Sequence, residues 1–128
     1  MNLSERGTDF AEFWRERHLC TLTTVRPDGT PHVVPVGATL DLENGIVRVN
    51  TSRRSHKARL IAAGAPNVAL CQVDGRRWST LVGVATIRTG REEVADAERR
   101  YAARYCEPRP NPDRVVLEIQ VTRVLGTV

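Results

Sequence analysis

The stretch Ile46–Leu60, IVRVNTSRRSHKARL, changes from a strand pattern to a helix pattern. Its β-branched start, Ile46 to Val49, is typical of a buried strand, and Ala58 to Ile61 continue as a helix. Between them, residues 52–55 supply two hydroxyl groups and two arginines. The first backbone N–H groups of a helix have no partner within the helix and attract anions. The stretch therefore predicts a phosphate site at the junction between the strand and the helix.

Lys57 is the only lysine in a chain that has eighteen arginines. A lysine ammonium is a compact point charge, whereas arginine offers a planar fork, so the two are not interchangeable at a phosphate. We therefore interpret Lys57 as a phosphate ligand. The alternative that local sequence leaves open is an ordinary solvated helix start, because a motif match is a hypothesis rather than a demonstration.

The rest of the chain alternates strand patterns with turn signals such as Arg26-Pro27-Asp28-Gly29 and Glu43-Asn44-Gly45. One predicted strand is irregular, because Pro31 and Pro35 bracket it and Gly37 interrupts it, which leaves its backbone open to a ligand or a subunit edge. Six strands are predicted: Leu19–Val25, Pro31–Leu40, Ile46–Val49, Val68–Val73, Ser79–Arg88 and Val115–Val121, the last continuing to Leu125.

Helices are predicted over Thr8–Arg17, after Lys57 as far as Ala63, and from Thr89 to Tyr105. Capping boxes are expected at Asp9 with Glu12 and at Thr89 with Glu92. Strands of this number with short helices between them predict an α+β, mainly β fold, a six-stranded antiparallel barrel with short flanking helices. Uniform composition over 128 residues predicts one domain, residues 1–128.

Composition narrows the classes of partner. The net charge of +4 favours an anionic cofactor, an acidic metabolite or nucleic acid, but the aromatic residues are few and the arginines scattered, so nucleic acid is not expected. No signal pattern and no apolar run of about 20 residues is present, which predicts a soluble cytoplasmic protein without a membrane partner. The three histidines lack zinc-ligand spacing, so no metal is predicted.

Several kinds of chemistry lack the residues they require. The chain contains neither the Gly-x-Ser-x-Gly elbow of hydrolases nor a P-loop nor the Gly-x-Gly-x-x-Gly fingerprint of doubly wound dinucleotide folds. The acidic residues fall mainly in turns or on a charged helix face, which argues against paired carboxylate catalysis. A phosphate site without a strong general base suits a redox cofactor, which brings its own chemistry.

Four stretches carry a resemblance to a known family: LTTVRPDGTPHVVPVG (22–37), VNTSRRSHKARL (49–60), CQVDGRRWSTLVGVA (71–85) and ERRYAARYCEPRPNPDRVVLEIQVTRVLG (98–126). Their order resembles the split-barrel flavin- and deazaflavin-binding family related to pyridoxamine 5′-phosphate oxidase. The last two stretches are especially similar to the biliverdin reductases that use reduced coenzyme F420. The first two are shared with relatives that use FMN.

The resemblance implies a split β-barrel, a homodimer, and a cofactor at the subunit interface. It implies that Thr51, Ser52 and Lys57 hold the cofactor phosphate with Arg54 and Ser55 nearby. It also implies that the ring system of the cofactor lies along the irregular strand segment Pro35, Val36, Gly37 and Ala38. Two residues of the second subunit, Trp78 and Ser79, are expected to reach the same cofactor.

The implied activity is hydride transfer from reduced F420 to an unsaturated acceptor, of which biliverdin is the best match. A groove formed by Arg53, Arg54, Arg76 and Arg77 is expected to fit the anionic groups of the cofactor and acceptor. No residue is assigned as catalytic, because no proton donor can be recognised. Two alternatives stay open, an FMN-binding oxidoreductase of the same fold and a non-catalytic carrier of F420 or a tetrapyrrole.

Overall fold

The computed structural model describes residues 1–128 and consists of one seven-stranded antiparallel sheet with three α-helices. The order across the sheet is β2-β1-β5-β6-β7-β4-β3. The strands are β1 Cys20–Val25, β2 Pro31–Val36, β3 Thr39–Asp41, β4 Ile46–Ser52, β5 Asn67–Asp74, β6 Arg77–Arg88 and β7 Arg114–Gly126. The prediction of a mainly β, antiparallel fold is confirmed.

The predicted six-stranded barrel is wrong in strand number and in closure. The expected strand Pro31–Leu40 divides at Gly37 and Ala38 into β2 and β3, which lie at opposite ends of the open sheet. Ala38 cannot continue a ladder because its backbone N–H donates to Tyr105 Oη at 3.1 Å and its carbonyl accepts from Arg104 Nη1 at 2.5 Å. Side chains from a later helix therefore replace the ladder bonds that would have kept the strand whole.

The helices are α1 Thr8–Phe13, α2 His56–Ala62 and α3 Arg91–Arg104, with one further 3₁₀ turn at Ser4–Arg6. The first helix ends at Phe13 rather than at Arg17, and neither predicted capping box forms, because Gly7 and Gly90 are the N-caps of α1 and α3 and neither end has a side-chain cap. The cap that does form is at α2, where Ser55 Oγ accepts from Ala58 N at 3.3 Å.

The core lies on one face of the curled sheet, covered by α1 and α2. Strand residues alternate as the period of two requires, so that β6 buries Ser79, Leu81, Gly83 and Ala85 while Thr80, Val82 and Val84 between them are less buried. Aromatic residues Phe10 and Phe13 of α1 are almost fully buried beneath them. None of the helices combines the length and apolar character needed to cross a membrane.

Candidate functional site

A cleft of about 540 Å³ lies where the two ends of the sheet approach each other. One wall is the end of β2 and another is the end of β4, and the chain from the end of α3 to the start of β7 closes the third side. Its lining is Pro35, Val36, Gly37, Asn50, Thr51, Ser52, Lys57, Tyr101, Cys106, Glu107, Pro108, Arg109, Asn111 and Arg114. A volume of this size suits a small-molecule ligand.

Lys57 contributes the ammonium group of the cleft from the first turn of α2. Burial lowers the pKa of Lys57, and no carboxylate is close enough to offset that effect. A partly buried cation without a counter-ion favours an anionic ligand, because the ligand then supplies the negative charge that no protein group provides. The local chain is well fixed, since the N-cap bond of Ser55 holds the turn that carries Lys57.

The strand end beside Lys57 presents hydroxyl groups. Thr51 and Ser52 close β4, and Asn111 Nδ2 donates to Ser52 Oγ at 2.9 Å across the cleft. Arg114 is held by Glu98 and by the carbonyl of Arg109, the latter at 2.6 Å from Nη2. Ser52 therefore keeps its own hydroxyl proton available for a ligand oxygen, because Asn111 uses only a lone pair.

Asn50 has an unusual place in the lining. Its Nδ2 donates to the carbonyl of Ala97 at 3.3 Å, but its Oδ1 is buried and has no hydrogen-bond partner. An orphaned acceptor of this kind is costly in a folded protein and calls for a donor. A ligand that brings an N–H or O–H group into the cleft would satisfy it.

The β2 wall of the cleft is packed closely. A Cβ atom added to Gly37 would lie 2.8 Å from Tyr101 Cε2 and 3.2 Å from Tyr105 Cε2. These two tyrosine rings have centroids 4.9 Å apart. Only glycine therefore fits at this position, and the close packing leaves the backbone of residues 35–37 facing the cleft.

Six of the residues expected at the site line this one cleft: Pro35, Val36, Gly37, Thr51, Ser52 and Lys57. Ala38 lies just behind the wall, buried and with its backbone groups already bonded to Arg104 and Tyr105. Ser55 caps α2, and Arg54 is exposed and outside the lining. Cofactor contacts by all eleven residues named from the sequence remain predictions.

Trp78 and Ser79 lie elsewhere in the chain, at the start of β6. Trp78 is exposed, whereas Ser79 is fully buried and its Oγ accepts from Trp14 Nε1 at 3.1 Å. The side chain of Ser79 is thus occupied within its own subunit. Within one subunit neither the side chain nor the backbone of Ser79 is exposed, and a contact between Ser79 and a cofactor of a second subunit stays a prediction.

The structure does not assemble the expected arginine groove. Arg77 is bound by two carboxylates, with Nη2 2.8 Å from Glu16 Oε1 and 2.5 Å from Asp74 Oδ2. Arg53 lines a different cavity, on the other side of α2. The arginines that do line the cleft are Arg109 and Arg114, which sequence reasoning missed although both belong to the PRPNPDR run.

A profile of the family described as Pyridoxamine 5′-phosphate oxidase matches residues 8–127 of the chain. An F420H(2)-dependent biliverdin reductase of Mycobacterium tuberculosis (strain CDC 1551 / Oshkosh) is 50% identical over 129 residues, covering 99% of this chain and 93% of that protein. The match extends through every element that lines the cleft.

Solved structures agree on the fold. A structure named F420 Reductase superposes with a TM-score of 0.75 at 24% identity, covering 93% of this chain and 98% of its own. A conserved hypothetical protein from Mycobacterium tuberculosis reaches a TM-score of 0.81 at 25% identity, covering 96% of this chain and 83% of its own. Because the profile matches nearly the whole length of this chain and a relative is 50% identical, the chain belongs to the pyridoxamine 5′-phosphate oxidase family.

Proposed function

We propose that this protein is an F420H2-dependent reductase that passes a hydride from the deazaflavin to an unsaturated acceptor, with biliverdin as that acceptor. The observation that carries the proposal is a cleft with an uncompensated ammonium, Lys57, beside a glycine wall, Gly37, in a chain 50% identical to an F420H(2)-dependent biliverdin reductase. We place the protein in the cytoplasm, as the sequence predicts.

The donors and acceptors of the cleft fit such a cofactor. Lys57, Thr51 and Ser52 are suited to its phosphodiester, since an ammonium and two hydroxyl groups offer charge-assisted hydrogen bonds to phosphate oxygens. The backbone of Pro35, Val36 and Gly37 is suited to the polar edge of a flat ring. The Oδ1 atom of Asn50 has no hydrogen-bond partner and can only accept a hydrogen bond. A ring N–H or a ribityl hydroxyl of the cofactor can donate that bond, whereas the oxygens of an ionised phosphate cannot.

Reduced F420, when bound, supplies the hydride. The residues of the chain bind and orient: Lys57 and the end of β4 fix the phosphate, and the β2 wall fixes one edge of the ring. Arg109, exposed at the cleft, is suited to an anionic substituent such as a propionate of the acceptor. We assign no catalytic residue.

We further propose that the working form is a homodimer in which a second copy covers an apolar face of the sheet. This face is largely apolar, with Arg123 opposite Val82 at its β7 edge, and its exposed apolar members are Val73 (63%), Val33 (55%), Leu125 (39%) and Trp78 (37%). Strand register makes its side chains neighbours across four strands and the end of β7. We name it the apolar face, formed by Thr21, Thr23, Val33, Pro35, Ala69, Cys71, Val73, Trp78, Thr80, Val82 and Leu125.

The apolar face reaches the cleft, because Pro35 belongs to both. A subunit that covers this face would therefore also close the open side of the cleft. Soluble monomers rarely expose a contiguous apolar patch of this kind. The same arrangement makes Trp78 of the partner subunit available to the ring of the cofactor, as the family resemblance implies.

The test is an anaerobic titration of the purified protein with reduced F420 and, separately, with FMN, followed by addition of biliverdin. We expect tight F420 binding and biliverdin-dependent return of the oxidised deazaflavin absorbance. F420 binding without reoxidation would refute biliverdin as the acceptor and favour the carrier. Preference for FMN over F420 would refute the proposed cofactor.

A further inference from the structure

Arg104, at the end of α3, makes three hydrogen bonds with its guanidinium fork. Nε donates to the carbonyl of Glu16 at 2.9 Å, Nη1 to the carbonyl of Ala38 at 2.5 Å, and Nη2 to Gln72 Oε1 at 2.6 Å. All three acceptors are uncharged, so the positive charge is stabilised by carbonyl dipoles and by the ring of Tyr105, 5.1 Å away. One side chain thus joins the chain after α1, the β2–β3 connection and β5.

Gln72 extends this connection into the core. It is fully buried on β5, and its Nε2 donates to the carbonyl of Phe13 at 2.8 Å while its Oε1 receives Arg104. The amide thereby orients the guanidinium, because its donor is engaged by Phe13 and its Oε1, which also accepts from Cys20 Sγ at 3.4 Å, faces Arg104. Lysine at position 104 could reach one of the three acceptors but not all of them.

Tyr105 holds the other polar group of Ala38. The backbone N–H of Ala38 donates to Tyr105 Oη at 3.1 Å, and the tyrosine hydroxyl donates in turn to the carbonyl of His18 at 2.7 Å. Burial raises the pKa of Tyr105, so the hydroxyl keeps its proton at neutral pH. The ring of the same residue packs against Gly37.

We infer that Arg104 and Tyr105 are positioning residues that set the conformation of residues 36–38, which form the cleft wall and the segment just behind it, and that they thereby set the affinity for the cofactor. β2 ends at Val36 and β3 begins at Thr39, so Gly37 and Ala38 lie outside both strands. Their position depends on α3 instead. The inference rests on the proposed function for the identity of the cofactor, but the positioning of the wall can be measured on the free protein.

The two test variants are Tyr105→Phe and Arg104→Lys. Phenylalanine removes the hydroxyl and keeps the ring beside Gly37, and lysine keeps the charge and removes the fork. The matched control is Arg99→Lys on the same helix, where the side chain is 71% exposed and pairs with Asp96 rather than with the wall. Circular dichroism and the unfolding temperature check that each variant is folded.

The first measurement is amide hydrogen exchange in the free protein. In Tyr105→Phe we expect the Ala38 amide to exchange about ten-fold faster, the equivalent of one lost hydrogen bond, with the amides of β6 and β7 unchanged. The second measurement is the Kd for F420, which we expect to rise about five- to thirty-fold in both test variants. With saturating cofactor, kcat should stay within about two-fold of wild type, since the chemistry is unaltered.

Unchanged Ala38 exchange in Tyr105→Phe would overturn the inference. So would faster exchange with a cofactor Kd equal to that of Arg99→Lys, because the two residues would then have only a structural role. Failure of the wild-type protein to bind F420 would refute the proposed function instead, and the exchange rates of Ala38 would still decide whether Arg104 and Tyr105 fix the wall.

Discussion

Lys57 is the residue on which cofactor affinity should depend most directly. Its ammonium lines the cleft and forms no salt bridge with a protein carboxylate, so an anionic ligand is its natural partner. We expect Lys57→Ala to weaken cofactor binding by about 1.5–3 kcal/mol, the usual contribution of a hydrogen bond to a charged group, and to leave the unfolding temperature nearly unchanged. Calorimetric titration with reduced F420 measures it.

Arg59→Ala is the matched control for Lys57→Ala. Arg59 is an exposed cation on the same short helix but lines the cavity on the other side of it. Loss of affinity in both variants would point to a general effect of net charge. Equal affinity of Lys57→Ala and wild type would remove Lys57 from the phosphate site.

Gly37 offers a second prediction at the scale of single residues. An added methyl group would lie 2.8 Å from Tyr101 Cε2, so the ring or the wall must move. We expect Gly37→Ala to lower the free energy of unfolding by about 1–3 kcal/mol, as overpacked substitutions do, and also to weaken cofactor binding. Urea denaturation measures the first effect, and the double variant with Tyr101→Leu should recover part of the loss. Wild-type stability in Gly37→Ala would show that the wall is loose.

Local patterns are informative about residues whose neighbours in sequence are also their neighbours in space. Lys57, Ser52 and Thr51 follow one another closely and do meet in the cleft. Tyr101 and Asn111 line the same cleft although they lie far away in the sequence. The periodicity of a local segment does not predict such a long-range contact. Ser79 illustrates a different limit of local patterns, because its alternation along β6 turns it into the core, where its hydroxyl oxygen accepts a hydrogen bond from Trp14.

At the scale of elements, the turn after α1 is held to the β5–β6 hairpin by an ion-pair cluster. Arg77 binds Glu16 and Asp74, and His18 Nε2 lies 2.8 Å from Glu16 Oε1. Glu16, His18 and Asp74 also lie close enough together to suggest a cation site, but the guanidinium of Arg77 already supplies the positive charge. The cluster therefore serves to join two elements.

This cluster should make stability depend on acid pH. The hydrogen bond from Arg77, followed by that from His18, lowers the pKa of Glu16 from 4.5 to about 2. A carboxyl group with a lower pKa in the folded state stabilises the protein fully above its unfolded pKa, and that contribution is lost as the pH falls. Between about pH 4.5 and pH 2, the free energy of unfolding should thus fall more steeply in wild type than in Glu16→Gln. Urea denaturation across this range tests it, and parallel curves would contradict it.

Strand and helix types were largely predictable, whereas their ends were not. The β-branched runs and turn residues locate six strands, but the division of Pro31–Leu40 depends on Arg104 and Tyr105, which are more than sixty residues away. Both expected capping boxes failed because the observed N-caps are glycines, Gly7 two residues before Asp9 and Gly90 one residue after Thr89. Tertiary contacts decided these boundaries, and local propensity cannot register them.

At the scale of the whole molecule, the open sheet brings its two ends together around the cleft and leaves a largely apolar face on its outer side. The sequence predicted an antiparallel sheet but not its opening, because closure depends on how β2 and β3 separate. The surface proposed for the second copy is continuous with the cleft, because β2 forms one wall of the cleft and also contributes Pro35 to the apolar face.

The proposed dimer can be tested by placing a charge on the apolar face. Val73 is 63% exposed in the single subunit, so Val73→Arg should cost little stability in the monomer. A charge buried without a partner at an interface is strongly unfavourable, so we expect the variant to sediment as a monomer where the wild type sediments as a dimer. Because the cleft would then stay open on one side, F420 binding should weaken as well. Glu92→Gln, on the exposed side of α3, raises the net charge by the same one unit and is the control. A wild-type monomer would refute the dimer, and a monomeric Val73→Arg with unchanged cofactor affinity would show that one subunit completes the site.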